Sequence, residues 1–275
     1  MAKGKIIDLF ELFKGYFRRV IIFIMKNKTI AICIPTNNDD SSHIRIGYTL
    51  MSLTLQTFKN VKVYVRDEGK SEIFSDRNIR IIWNMLSHLN IDNEYRKVTE
   101  RKGVGYARKD LIDMVNSEDF ILFLDDDMIL VPNAIEMLMN AMENNPEAGF
   151  VQGTKIELDS NRTYWNDINK VNDLSKTMRI WFGDAAFLLL RKEALKVVDW
   201  SIVTKYQVEG LPGEDIAISV MISDKYECFG VPEAVGWHLS PDRTRWMWEI
   251  PSDLLQINLL QKSVKKETLK NALPH

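Results

Sequence analysis

The stretch Phe120-Ile121-Leu122-Phe123-Leu124 runs straight into Asp125-Asp126-Asp127. Five apolar residues with no polar alternation have the length of a strand, and they predict one buried on both faces, as the strands of a parallel sheet are. Such a strand needs covering layers on each side, which points to a layered α/β fold. The three carboxylates fall where the strand leaves the sheet, and in open α/β sheets that end is where ligands bind. Adjacent carboxylates repel one another. A hard divalent cation bridging them to a phosphate gives the cluster a purpose, whereas the plainer alternative is a solvated acidic turn.

The chain before this stretch alternates strand and helix. Thr29–Ile34 is β-branched and ends at the turn Pro35-Thr36-Asn37-Asn38. Residues 44–57 have helical spacing, with Ile46, Leu50, Leu53 and Phe58 in step. Val61–Val65 is a second strand ending at Arg66-Asp67-Glu68-Gly69. A helix over 71–89 turns Ile79, Ile82, Trp83 and Leu86 inward, a weaker strand covers Tyr95–Val98, and a helix spans Gly103–Val115. Pro132 suits the first position of a helix reaching Glu143. This order predicts a mostly parallel sheet with helices on both faces, and it brings Thr36, Asn38, Asp67 and Asp125–Asp127 to one sheet edge.

The second half is less regular. Phe150–Leu158 and Phe187–Leu190 read as strands separated by a polar loop over 159–178, and a helix covers Lys192–Val197. Gly210-Leu211-Pro212-Gly213 is a turn, after which Glu214-Asp215 open a helix through Ile222. Carboxylates are favoured at a helix N-terminus, so capping is the plain alternative to chemistry for both. Tyr226–Val231 is a strand, followed by Val235-Gly236-Trp237-His238. His238 fits a metal ligand or a packed core histidine equally well.

A length of 275 residues suits one large α/β domain or two small ones. The expected division is an amphipathic helix over 1–27, a catalytic domain over 28–245 and a helical tail over 246–275. Within residues 6–26, Ile6, Phe10, Phe13, Phe17, Ile21 and Ile24 recur at helical spacing, with Asp8, Glu11, Lys14, Arg18 and Arg19 opposite. Two readings stay open: a helix packed on its own domain or a second subunit, or one lying in the membrane interface. Trp246 and Trp248 stack on sugar, anchor at an interface or cover the core. A formal net charge of -2 gives no reason to expect nucleic acid as a partner. Cys33 and Cys228 lie in apolar runs and read as reduced thiols. No apolar run has the length to cross a bilayer, and no cleavable signal is evident. The expectation is a cytoplasmic protein, peripheral on the inner face of the membrane if the first helix binds lipid.

Five motifs in order resemble a known family. Cys33-Ile34-Pro35-Thr36-Asn37-Asn38, Val65-Arg66-Asp67-Glu68-Gly69, Gly105-Tyr106-Ala107-Arg108-Lys109, Asp125-Asp126-Asp127 and Gly213-Glu214-Asp215 resemble those of family 2 inverting glycosyltransferases with the GT-A fold. That fold is Rossmann-like, a mostly parallel sheet flanked by helices. The match covers about residues 29–240. It implies a metal-dependent transfer of a sugar from a nucleoside diphosphate, with UDP favoured, to an acceptor hydroxyl on a glycan or lipid-linked glycan. It implies Mn²⁺ or Mg²⁺ held by Asp127, Asp125 and His238. It further implies that Pro35, Thr36, Asn38, Asp67, Arg108, Asp125 and Asp126 bind the donor, that Asp215 is the catalytic base, and that Glu214 positions the acceptor. Asn37, Glu68, Lys70 and Lys109 depart from the family pattern and alter the rim of the nucleotide pocket.

Other activities fit less well. A sugar-1-phosphate nucleotidyltransferase wants a Gly-rich loop after its first strand, and Pro35–Asp40 holds no glycine. A phosphatase with an aspartyl nucleophile wants its acidic motif after the first strand, not a later one. A catalytically silent, nucleotide-binding scaffold is opposed by the retained Asp125, Asp127 and Asp215.

Overall fold

The computed structural model describes residues 28–37, 42–157, 176–208 and 213–239. The segment over 6–26, Asn38, most of the polar loop, the Gly210–Pro212 turn, and Trp246 and Trp248 with the tail lie outside the described residues.

The first half follows the alternation of the sequence. Strand β1 (Ile30–Thr36) leads to helix α1 (Ser42–Thr54), β2 (Val61–Asp67), α2 (Arg77–His88), β3 (Asp92–Lys97), α3 (Val104–Met114) and β4 (Phe120–Leu124). The second half adds β5 (Met128–Leu130), α4 (Ala134–Asn144), β6 (Ala148–Glu157), β7 (Met178–Arg179), β8 (Phe187–Arg191), α5 (Trp200–Val208), α6 (Glu214–Ser223) and β9 (Glu227–His238). One sheet has the order β3-β2-β1-β4-β8-β6-β9-β5, with β7 paired to β9. Strands β1, β2, β3, β4, β6 and β9 share one direction, while β5, β7 and β8 run against it. The sheet is mostly parallel, as expected.

The apolar run before the acidic triplet lies in the middle of this sheet. β4 sits between β1, parallel to it, and β8, antiparallel to it, and all five of its residues are buried. Successive side chains of a strand point to opposite faces. Phe120, Leu122 and Leu124 enter one core with Ile46 and Leu50 of α1, Ile79 and Leu86 of α2 and Leu138 of α4. Ile121 and Phe123 enter the other with Leu111 of α3, Val203 of α5 and Ile218 of α6. Cys33 and Cys228 are buried, free thiols in this second core.

Several sequence expectations are corrected. Pro132 does not open a helix. Its carbonyl accepts from Thr57 N at 2.7 Å, and α4 starts at Ala134. The Gln56 side chain sets that start, donating to Val131 O at 2.9 Å and accepting from Ile135 N at 3.2 Å. Lys192–Val197 is a 3₁₀ turn, not an α-helix. The last strand does not end at Val231 but continues to His238. Its register on β6 jumps from Gly153↔Val231 to Thr154↔Val235. Pro232, which has no N–H to donate, falls inside that irregularity. Gly153 is held there by space, since a Cβ would stand 2.0 Å from the Phe187 ring. Strands β5 and β7 and helix α5 were not legible from periodicity, the strands because two or three residues carry no period.

Candidate active site

The acidic triplet begins immediately after the last residue of β4, Leu124, and the strand's neighbours fix where each carboxylate goes. Asp125 N donates to Ala186 O at 3.0 Å, which holds the turn against the start of β8. Asp125 Oδ1 accepts from Arg108 Nη2 at 3.0 Å. Arg108 comes from the buried side of α3, donates through Nη1 to Ala185 O at 2.9 Å, and lies 5.2 Å over the Phe123 ring. Its Nη2 also stands 3.8 Å from Glu214 Oε1. One buried guanidinium therefore joins the triplet to the start of α6. Burial alone would lower the Arg108 pKa, but Asp125 and Glu214 raise it above the ordinary value. Burial raises the Asp125 carboxyl despite the opposing pull of Arg108.

Asp126 turns the other way and accepts from Thr36 Oγ1 at 2.5 Å, tying the end of β1 to the triplet. Burial, and then the neighbouring charge of Asp127, push its carboxyl up to about 7. Pro35 lies beside it in β1, opposite Arg66 of β2. Asp127 is buried, with Arg45 Nη1 at 3.7 Å from its Oδ2. Its own carbonyl accepts from Leu239 N at 2.8 Å.

Strand β5 brings in His238. Pairing Met128 with His238 sets the ring beside the triplet, although Asp127 and His238 are 111 positions apart in the chain. His238 Nε2 is 3.2 Å from Asp127 Oδ1, and Nδ1 is 2.6 Å from Glu157 Oε2. Burial would lower the ring's pKa, but the hydrogen bonds with Asp127 and Glu157 prevail and raise it to about 10. One ligand atom each from Asp125, Asp127 and His238 lies within 4.8 Å of the others. Carboxylate oxygens with one imidazole nitrogen suit a divalent cation. A carboxylate on the far ring nitrogen is the partner that orients metal-ligating histidines. The strong pull toward a positive charge at Nε2 fits the same purpose, because a cation can take the proton's place there.

Across Arg108 lies the start of α6. Gly213 precedes it at φ 149°, a conformation that side chains resist, and Glu214 and Asp215 form its first turn. Asp215 Oδ1 accepts from Ile216 N at 2.8 Å. Burial, then Glu214 and Asp184, hold the Asp215 carboxyl well above the ordinary carboxylate range. Burial likewise raises Glu214 against the attraction of Arg108.

Asp67 is occupied differently. Its buried carboxylate accepts from Gly69 N at 2.7 Å, Ile73 N at 3.2 Å and Tyr95 Oη at 2.7 Å, with Lys97 Nζ at 3.3 Å. It shapes the loop after β2, level with Thr36 in the sheet register. The departure at Glu68 has a role of its own: it pairs with buried Arg66, which also binds Asp110 at 2.9 Å.

Sequence reading missed Glu157, Lys155 and Asp184. Lys155 Nζ lies 2.5 Å from Asp184 Oδ2 and 3.5 Å from Glu157 Oε1, all three buried. Lys155 and Asp184 thus compensate each other beside the histidine's support. The available signal was the pair Lys155 and Glu157 at the end of a strand read as buried, because buried charges need partners.

With this geometry in view, the comparison with known proteins decides the family. The profile described as "Glycosyl transferase family 2" matches residues 31–199, more than half of the chain. The chain belongs to glycosyl transferase family 2. Among curated relatives it is 29% identical over 111 residues to glucosyl-dolichyl phosphate glucuronosyltransferase of Haloferax volcanii, covering 39% of this chain and 32% of that one. It is 25% identical over 123 residues to hyaluronan synthase of Streptococcus pyogenes, covering 42% of this chain and 27% of that one. The chain thus spans about a third of the length of the curated relatives it matches. Among solved structures, S. aureus TarS 1-349 superposes with a TM-score of 0.61 at 14% identity, over 88% of this chain and 68% of that one. The same protein in complex with UDP gives 0.57 at 13% identity over the same shares. These likenesses support the fold. Among the described residues no helix is long and apolar enough to cross a membrane.

Proposed function

We propose that this family 2 member is a metal-dependent, inverting glycosyltransferase that moves a hexosyl or N-acetylhexosaminyl group from a nucleoside diphosphate, UDP for preference, to an acceptor hydroxyl on a glycan or lipid-linked glycan. The observation that carries this reading is the convergence of Asp125, Asp127 and His238 on one point, with Glu214, the chain neighbour of Asp215, across Arg108. Mn²⁺ or Mg²⁺ at that point would supply charge stabilisation for the departing diphosphate. Asp215, with its raised pKa, takes the proton of the attacking hydroxyl, and Glu214 orients the acceptor. Attack from the face opposite the leaving group inverts the anomeric centre. Arg108 holds donor-side Asp125 and acceptor-side Glu214 in register. Pro35, Thr36 and Asp126 frame the nucleotide side of the cleft. Asp67 keeps the loop that lies against the base in shape.

A thermal-shift panel of UDP, GDP, dTDP and CMP, each with and without Mn²⁺, tests the reading. A nucleotide at about 100 times its Kd stabilises the fold by ~2.7 kcal/mol. The expected result is a shift with UDP that needs Mn²⁺. Silence across the panel would overturn the reading. Glu157→Gln is expected to weaken Mn²⁺ affinity by about 10–100-fold, as loss of a ligand's orienting partner does. Titrating Mn²⁺ at fixed UDP measures it, and an unchanged midpoint would remove Glu157 from the metal site's support.

A further inference from the structure

Every large hydrophobic side chain that stands exposed among the described residues lies on α1, on α2 or on the residue that follows each. Ile44, Tyr48, Met51 and Leu55 recur at helical spacing along α1, and Ile81, Met85 and Leu89 every fourth residue along α2. Ile44 and Leu55 are each 62% exposed. The two helices pack side by side, since a Cβ on Gly47 of α1 would lie 3.9 Å from both Ile79 and Ile82 of α2. Each helix follows a parallel strand and returns to the sheet's starting end, so the two apolar stripes run alongside one another. A double stripe of this kind marks a covered surface.

Chain connectivity indicates what covers it. Residue 28, where the segment over 1–27 joins the fold, sits at that same starting end. Lys28 O accepts from Asn60 Nδ2 at 2.7 Å, and Lys59 Nζ reaches Thr54 O at 3.0 Å at the end of α1. Asp92, three residues past Leu89, pairs with Lys62 in the adjoining strand. Both stripes therefore finish beside the point of entry. The sequence pattern of residues 6–26 supplies a complementary apolar arc of Ile6, Phe10, Phe13, Phe17, Ile21 and Ile24. As a helix, 6–24 would extend ~27 Å, against ~17 Å from Ile44 to Leu55, so it is long enough to run the stripe. The C-terminal tail leaves from Leu239, which is bonded to Asp127 at the opposite end of the sheet.

We infer that residues 6–26 fold back as an amphipathic helix along the groove between α1 and α2, with their phenylalanines on Tyr48, Met51 and Met85. The docked segment braces α1, the helix that follows the Thr36 turn of the candidate site.

Hydrogen peroxide oxidation of the full-length, lipid-free protein, with peptide mass spectrometry at Met51 and Met85, tests this. In the monomer, both methionines should oxidise about tenfold more slowly than in a Phe10→Asp/Phe13→Asp/Phe17→Asp variant, a ratio equivalent to ~1.4 kcal/mol. Buried Met139 and Met142 should stay protected in both proteins, which shows that the fold is kept. Tyr48→Asp, on the receiving side, should speed trypsin cleavage after Lys14, Arg18 and Arg19. Rapid oxidation of Met51 and Met85 in the wild-type monomer would overturn the inference. So would protection that appears only with anionic vesicles, which would assign the stripe to a lipid surface. Protection that depends on protein concentration would assign it to a second copy, and protection that survives the triple substitution would assign it to another segment.

Discussion

Asp215→Asn should lower kcat by about 10²–10⁴-fold while leaving UDP binding and its Mn²⁺ dependence in place. The substitution keeps the shape of the side chain and replaces the basic carboxylate that takes the acceptor's proton with a non-basic amide. It leaves Asp125, Asp127 and His238 untouched. Transfer assayed as UDP release, beside the thermal shift with UDP and Mn²⁺, separates the two effects. Undiminished turnover would remove Asp215 as the base. The pH dependence has a definite sign. A base must be deprotonated to act, and burial, Glu214 and Asp184 raise the Asp215 pKa. The acid limb of kcat/KM should therefore lie above the ordinary carboxylate range, and Asp215→Asn should abolish it.

The same variant should be more stable than the wild type when no ligand is bound. A carboxyl whose folded pKa is raised contributes stability at low pH and loses it as pH rises through the folded value. Above that value the wild type carries a buried charge next to Glu214 and Asp184, and the amide does not. A gain of about 1 kcal/mol would appear as a Tm increase of roughly 2–4 °C for a chain of this size. The gain should close on acidification, where both side chains are neutral. A variant that is inactive yet more stable is the signature of a group held in place for chemistry.

The sequence revealed the sheet in its first half because β1, β2 and β4 are short, continuous apolar or β-branched runs, each stopped by polar residues that mark the functional edge. It also showed that Thr36, Asp67 and the triplet share that edge, because parallel strands end on the same side. It did not show what Asp67 does once there. The carboxylate is taken up by Gly69, Ile73 and Tyr95, contacts fixed by loop geometry that has no period. It did not show the support of His238 either. That depends on a three-residue strand and on a register jump at Pro232, and neither leaves a hydrophobic pattern. Resemblance named His238 as a candidate ligand, but only the pairing of β5 with β9 gives the reason it reaches Asp127.

Asp127→Asn should abolish the Mn²⁺-dependent part of nucleotide binding. Asp127 is the most buried member of the triplet and the one bonded to the histidine, so it offers an oxygen at the point where the three candidate ligands meet. An amide offers one neutral oxygen in place of a charged pair and turns an N–H₂ toward the same space, which a hard cation does not tolerate. Stabilisation by UDP that reaches ~2.7 kcal/mol at about 100 times Kd with Mn²⁺ should fall to the level seen without metal. The fold itself should survive, because the substitution relieves the repulsion between Asp126 and Asp127 and keeps the backbone bond from Leu239 N to Asp127 O. Differential scanning fluorimetry of the ligand-free variant checks that. If Asp127→Asn kept a full response to Mn²⁺, the cation would have to sit elsewhere, and the acidic triplet would return to being a turn that happens to be acidic. Set beside Asp215→Asn, the two variants should divide cleanly: one binds the donor with metal and does not turn over, the other keeps its fold and no longer responds to metal. Such a division would place binding on the β4 side of Arg108 and proton transfer on the α6 side.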